Sequence, residues 1–193
     1  MRALLKVSGV IDAINTRIGR WVAWLILLAV AVSAGNATVR KVFDVSSNAW
    51  LELQWILFSA VFLLCAPWTL IDNEHIRIDI VNNLMPRRLR NTIELAGHAF
   101  FLLPLAVTLV ITGWPFFLGS FEIDEQSSNA GGLPQWPAKS LIVIGFALLL
   151  AQSISEFIKR VAIVRGIIPD PHATQVHALE AEVEQIVEAI EKH

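Results

Sequence analysis

Aspartate, glutamate and histidine crowd one short stretch of the chain, Asp72-Asn73-Glu74-His75-Ile76-Arg77-Ile78-Asp79-Ile80-Val81. Side chains of these types are the usual ligands of divalent metals. Their spacing matches neither the helical His-Glu-x-x-His pair nor a calcium-binding loop, so the pattern does not support a metal site. In an extended chain, side chains alternate between two sides. His75, Arg77 and Asp79 then share one side and Ile76, Ile78 and Ile80 the other, as in a strap half-buried at a surface. Asp79 or Asn82 can cap a short helical piece after it. Met85-Pro86-Arg87-Arg88 and Arg90 follow.

Other ionisable residues recur at helical spacing. Glu52, Trp55 and Ser59 lie at i, i+3 and i+7, Glu94 and His98 one turn apart, and Glu156 four residues before Arg160. The last two sets read as ordinary pairs along single helices. A buried haem needs axial ligands, commonly two histidines within the surrounding helices. Only His98 falls in a long apolar stretch, while His75, His172, His177 and His193 fall outside, so a haem-bearing anchor of a respiratory oxidoreductase is a poor second reading. Cys65 is the single cysteine and sits in an apolar run, which excludes an intrachain disulfide or a cysteine zinc cluster. No cofactor is expected.

The elements carrying these residues are set by composition. Of 193 residues, 55% are hydrophobic and 17% charged, and mean hydropathy is +0.59. Such a chain belongs in a membrane. Four apolar stretches, 21–39, 51–71, 93–117 and 138–158, each approach the roughly 20 residues that cross a bilayer as a helix. Backbone groups in lipid need internal partners, and no barrel-like alternation is present, so the spans are helices. The fold class is therefore an all-α integral membrane protein of four transmembrane helices.

Basic residues set the orientation. Arg2, Lys6, Arg17 and Arg20 precede the first span, Arg77, Arg87, Arg88 and Arg90 separate the second and third, and Lys159, Arg160 and Arg165 follow the fourth. These regions, and both termini, are expected in the cytoplasm. The loop Phe121–Pro137 carries Glu122, Asp124 and Glu125 without a basic residue and faces outward. Tryptophans gather at both boundaries: Trp21, Trp24 and Trp68 inside, and Trp50, Trp55, Trp114 and Trp136 outside. Arg87, Arg88 and Arg90 are candidates for meeting anionic lipid headgroups.

Residues 1–20 form an amphipathic helix, with Leu4, Leu5, Val7, Ile11, Ile14 and Ile18 among charges, suited to lying on the inner surface. A cleaved signal peptide, with its core at Trp21–Ala31, is the weaker alternative because the preceding basic region is too long. Residues 21–166 make the transmembrane domain and 167–193 a cytoplasmic tail. In that tail Val176, Leu179, Val183, Ile186 and Ile190 repeat at 3, 4, 3, 4 among glutamates, which describes a second amphipathic helix.

Within this frame Glu52, Gln54, Trp55 and Ser59 open the second span. Their face offers either an ion pair from Glu52 to Arg40 or Lys41, or a contact to a partner subunit. Pro104 and Gly113-Trp114-Pro115 are places where the third helix can kink or end. Glu122, Asp124 and Glu125 are candidates for steering a docking partner. No span shows a polar cluster suited to a midplane binding site.

Three stretches now stand in order on this frame. They are Ser46-Ser47-Asn48-Ala49-Trp50-Leu51-Glu52-Leu53-Gln54-Trp55, the Glu74-His75-Ile76-Arg77-Ile78-Asp79 strap, and Ala130-Gly131-Gly132-Leu133-Pro134-Gln135-Trp136-Pro137-Ala138-Lys139-Ser140, the last followed by Gly145-Phe146-Ala147-Leu148-Leu149. Together they resemble the small membrane (DctQ-like) subunit of tripartite ATP-independent periplasmic (TRAP) transporters over about Trp21 to Gly166. Many members carry glycines just before the strap, where Asn73 and Glu74 stand here. The resemblance implies a bacterial inner-membrane subunit, not an enzyme, that scaffolds a large multi-span transport subunit. It also implies sodium-coupled uptake of an organic anion, a carboxylate, delivered by a periplasmic binding protein, with substrate and sodium sites in the large subunit. The small subunit of tripartite tricarboxylate transporters shares the architecture and would change the partner but not the role. Membrane lipids are the remaining partner, and nucleic acid is not one.

Overall fold

The computed structural model describes residues 1–45, 47–72 and 86–169, apart from the side chains of Arg87 and Arg88. The strap residues His75, Arg77 and Asp79 and the tail helix lie outside the described residues. Those described form α1 (Arg2–Ala23), α2 (Leu25–Phe43), α3 (Asn48–Ile71), α4 (Arg87–Gly97), a π-helical turn (His98–Leu102), α5 (Leu103–Glu122) and α6 (Trp136–Val164). Four helical stretches are long and apolar enough to cross a membrane: Arg2–Phe43, Asn48–Ile71, Leu89–Glu122 and Trp136–Val164. Each expected span falls inside one of them.

α6 is the axis of the bundle, packed on α5, α3, α1 and α4, and α2 rides on α3. Glycines let the helices close. A Cβ on Gly145 would lie 2.8 Å from Leu63 Cβ and 3.0 Å from the Leu63 carbonyl oxygen. Pro67, buried inside α3, has no N–H to donate to that carbonyl, so α6 meets α3 where the α3 hydrogen-bond ladder is open. A Cβ on Gly19 would lie 2.7 Å from the Trp68 ring, which fixes α1 against α3. On the other side of α3, Leu57 packs with Ala29 and Val32 of α2 in a small apolar cluster.

The distribution of polarity is the reverse of a water-soluble core. The largest of the fully buried side chains are Gln152, Asn15, Pro67, Ser8, Ser153 and Ser155, while Phe62, Phe100 and Phe101 are three-quarters exposed. In hydrocarbon, association between helices comes from close packing and polar contacts, and large apolar side chains are free to face outward.

α1 follows the same logic. Its apolar residues Leu4, Val7 and Ile14 point out, and its buried stripe is Ser8, Asn15 and Gly19. It crosses α6 obliquely, since Ser8 meets Ser155 while Asn15, two turns on, meets Gln152. At Trp24 the backbone tightens, the Trp24 N–H reaching the Trp21 carbonyl at 3.3 Å, and α2 begins.

Neither proline region ends the third span. Ahead of Pro104 the helix widens into the π turn, in which the Leu103 N–H reaches back five residues to the His98 carbonyl. Pro115 lies inside α5, which continues to Glu122.

Candidate functional site

Two polar assemblies hold the ends of the bundle. At the loop end, Glu52 stands on the second turn of α3 and is buried. Its Oε1 accepts hydrogen bonds from Ser127 Oγ and from Asn129 Nδ2 at 2.9 Å, and its Oε2 accepts from the Leu133 N–H at 2.6 Å. The loop is shaped to deliver these donors. Ser127 N–H bonds the Leu133 carbonyl and Gln135 N–H the Glu125 carbonyl, while Gly132 N–H bonds Asn129, closing a narrow hairpin-like turn.

Gly131 takes φ +70°, open to glycine at little cost. A Cβ on Gly132 would lie 2.8 Å from Glu52 Oε1 and 2.6 Å from Ser127 Oγ, so the carboxylate fits only against a bare backbone. Asn48 Nδ2 adds a bond to the Ala130 carbonyl at 3.0 Å.

The expected ion pair of Glu52 with Arg40 or Lys41 is therefore replaced by a clasp on the loop. An ionised carboxylate accepts strong hydrogen bonds from neutral donors, and the loop supplies three where α2 was expected to supply a cation. Glu52, Trp55 and Ser59 do share a face, and with Glu125, Ser127, Asn129 and Gln135 they line an open cavity of about 470 Å³. Gln54 is half-buried and does not line it.

Of the acidic loop residues, Glu122 and Asp124 are exposed, but Glu125 is ion-paired with Lys139. Lys139 and then Ser120 hold the Glu125 carboxyl below its ordinary range. The Lys139 ammonium also lies 4.4 Å from the centre of the Phe116 ring. Phe121 meets Trp136 edge-on at 5.4 Å and Phe117 at 5.8 Å, which binds the last turns of α5 to the start of α6.

The opposite, basic end carries a denser network. Asp12 of α1 accepts from Gln152 Nε2 and Ser155 Oγ, both at 2.8 Å, and from Lys159 Nζ at 3.0 Å. Asn15 Nδ2 donates to Gln152 Oε1 at 2.8 Å, and the Ser8 and Ser155 hydroxyls are 2.6 Å apart. The expected helical pairs exchange partners here. Glu156 binds Lys159 at 2.5 Å and accepts from Gln152, while Arg160 reaches across to Glu94 of α4 at 2.5 Å. His98 Nδ1 contacts the Glu94 backbone carbonyl at 2.8 Å, not its side chain.

The fourth span thus carries a polar cluster, away from the midplane. The cluster sits at one end of the bundle, and its bonds are spent between helices. Its signal was present: Gln152, Ser155, Glu156 and Lys159 fall at i, i+3, i+4 and i+7, and Ser8, Asp12, Asn15 and Gly19 at 4, 3, 4. An averaged hydropathy hides both sets. Arg90 is half-buried on α4, and Arg87 and Arg88 lie on its first turn.

Chemically, the loop end can hold a fixed surface on the 123–135 turn and the basic end can lock α1 and α4 to α6. No group of three or more histidine, cysteine, aspartate or glutamate residues placed to hold a metal occurs among the described residues. The two assemblies explain two of the three stretches singled out in the sequence, because Glu52 and the Gly131-Gly132 turn are halves of one clasp. A family model described as "Tripartite ATP-independent periplasmic transporters, DctQ component" matches residues 29–162. No curated protein matches the chain.

Proposed function

Because this chain belongs to the DctQ family of tripartite ATP-independent periplasmic transporter components, and so is a small subunit of such a transporter, we propose that it braces the large transport subunit. The cargo is an organic anion, a carboxylate, taken up with sodium and delivered by a periplasmic binding protein. The chain lies in the bacterial inner membrane with both termini in the cytoplasm. Residues 1–20 rest on the inner surface, 21–166 span the membrane, and 167–193 form the tail. The positive-inside distribution of arginines supports this orientation.

One observation carries the bracing role: Ser8, Asp12, Asn15, Gln152, Ser155 and Glu156 bond one another within the described helices, and many large apolar side chains face out. A rigid body with such a surface suits lateral packing against another membrane protein. The Trp55 and Ser59 face beside the clasp, with Gln54 near it, is the proposed contact to the large subunit. The exposed Glu122 and Asp124 are the proposed electrostatic guide for the binding protein.

Coexpression with the large subunit tests the first part. The two should copurify, and proteoliposomes holding both should take up a carboxylate on a sodium gradient, whereas this chain alone should not. Uptake by this chain alone would end the bracing reading. Charge reversal at Glu122 and Asp124 should weaken binding-protein capture in a salt-dependent way, and unchanged capture at low salt would remove the guide.

A further inference from the structure

α1 carries a third face that neither the bundle nor its apolar side accounts for. Taken as a helix, Arg2, Lys6, Arg17 and Arg20 fall within about a sixth of the circumference, opposite the buried Ser8–Asn15–Gly19 stripe. None of these four forms an ion pair among the described residues. Two hollows of about 530 and 550 Å³ run along this face and share Ala13 and Arg17. Gly9 and Ala13 keep the floor low. Lys6 flanks the first hollow, and Arg17, Arg20 and Trp21 flank the second. Asp12 also borders the second hollow, but its two oxygens face Gln152, Ser155 and Lys159 of α6, and Lys159 meets its charge.

We propose that this trough is a binding site for one anionic phospholipid. The phosphate is held between Arg17 and Arg20 beside the Thr16 hydroxyl and Trp21, and an acyl chain lies over Ala13, Val10 and Ile14. Charge complementarity selects the occupant: cations without acidic neighbours of their own border a sector whose Val10, Ile14 and Trp21 are half or more exposed. Guanidinium groups donate two hydrogen bonds to one phosphate, and basic residues beside an apolar helix face favour anionic headgroups. A lipid seated here would tie α1 to the bilayer on the side away from Ser8, Asn15 and Gly19. The inference rests on the membrane reading of the chain and not on its transport role.

The test is native mass spectrometry of the full chain released from nanodiscs of equal phosphatidylglycerol and phosphatidylcholine. Wild type should retain one phosphatidylglycerol in about tenfold preference. Arg17→Gln with Arg20→Gln should abolish that preference, and Ala13→Trp should do so with every charge kept. Arg40→Gln with Lys41→Gln, the same loss of charge at the other end, should leave it intact. Equal retention of both lipids by wild type overturns the proposal, as does an equal loss in the Arg40/Lys41 control. Displacement of the retained lipid by millimolar inorganic phosphate would assign the site to free phosphate and overturn the lipid assignment.

Discussion

The two ends of the bundle solve one problem, a carboxylate buried between helices, in opposite ways. At the loop end Glu52 is met by three neutral donors from a single turn of chain. At the basic end Asp12, Glu94 and Glu156 are each met by a cation from α6, and the bonds join α1, α4 and α6. Neutral donors on a loop give a latch that opens locally. Charges on three helices give a joint that opens only when the helices part.

The difference can be broken by substitution, and the largest effect is expected at the joint. Glu94→Gln leaves the Arg160 guanidinium buried without its carboxylate, and breaking such a pair costs about 3–5 kcal/mol. The thermal midpoint in detergent should fall accordingly, and Glu94→Leu with Arg160→Met should recover most of the loss. A double variant no more stable than the single one would show that the joint does not depend on this pair.

Next comes the latch. Glu52→Ala strands three donors, and cleavage between Gln126 and Pro134 by added protease should rise by about tenfold while the bundle's midpoint moves less than in Glu94→Gln. If both readouts move together, the latch and the joint are one cooperative unit. Gly132→Ala sharpens the point without removing any bonding group. Its Cβ would press on Ser127 and Glu52, at an expected cost of about 1–3 kcal/mol, read as the same loop-specific cleavage.

The smallest effect concerns Glu125. Its pKa is lowered from the ordinary 4.5, chiefly by Lys139. A carboxyl depressed in the folded state contributes stability that is present above its unfolded value and lost as pH falls through the lowered one. Loop opening should therefore increase as pH drops below the ordinary carboxylate range. Lys139→Met should flatten this acid dependence, because the folded value moves back toward 4.5, and should open the loop at neutral pH as well. An acid dependence left unchanged by Lys139→Met, followed by amide exchange of the 123–135 turn, would detach the pair from the latch.

The sequence made some of this legible. Glu52 stood out as an acid at the mouth of an apolar helix, and Gly131-Gly132 as a tight turn, yet their connection spans 75 to 81 residues of chain. Local spacing pointed Glu52 at Arg40 and Lys41 because those were its nearest cations in sequence. Likewise Glu156 had Arg160 four residues away, but Lys159 was as near and α4 offered Arg160 a second acid. Helical periodicity says which residues share a face and leaves open which face meets which helix. For that reason the spacing of α1 points to its apolar side, although Ser8, Asp12, Asn15 and Gly19 make the contact.

By itself the sequence determined the all-helical class and the four helices long and apolar enough to span a membrane, because hydrophobic length and the need to bond backbone groups in lipid are properties of local composition. The tertiary structure alone decided the partner of every buried charge and the close approach at Gly19, Gly132 and Gly145. A hydrogen bond depends on distances of a few tenths of an ångström between helices, and those are set by packing that no stretch of one helix encodes.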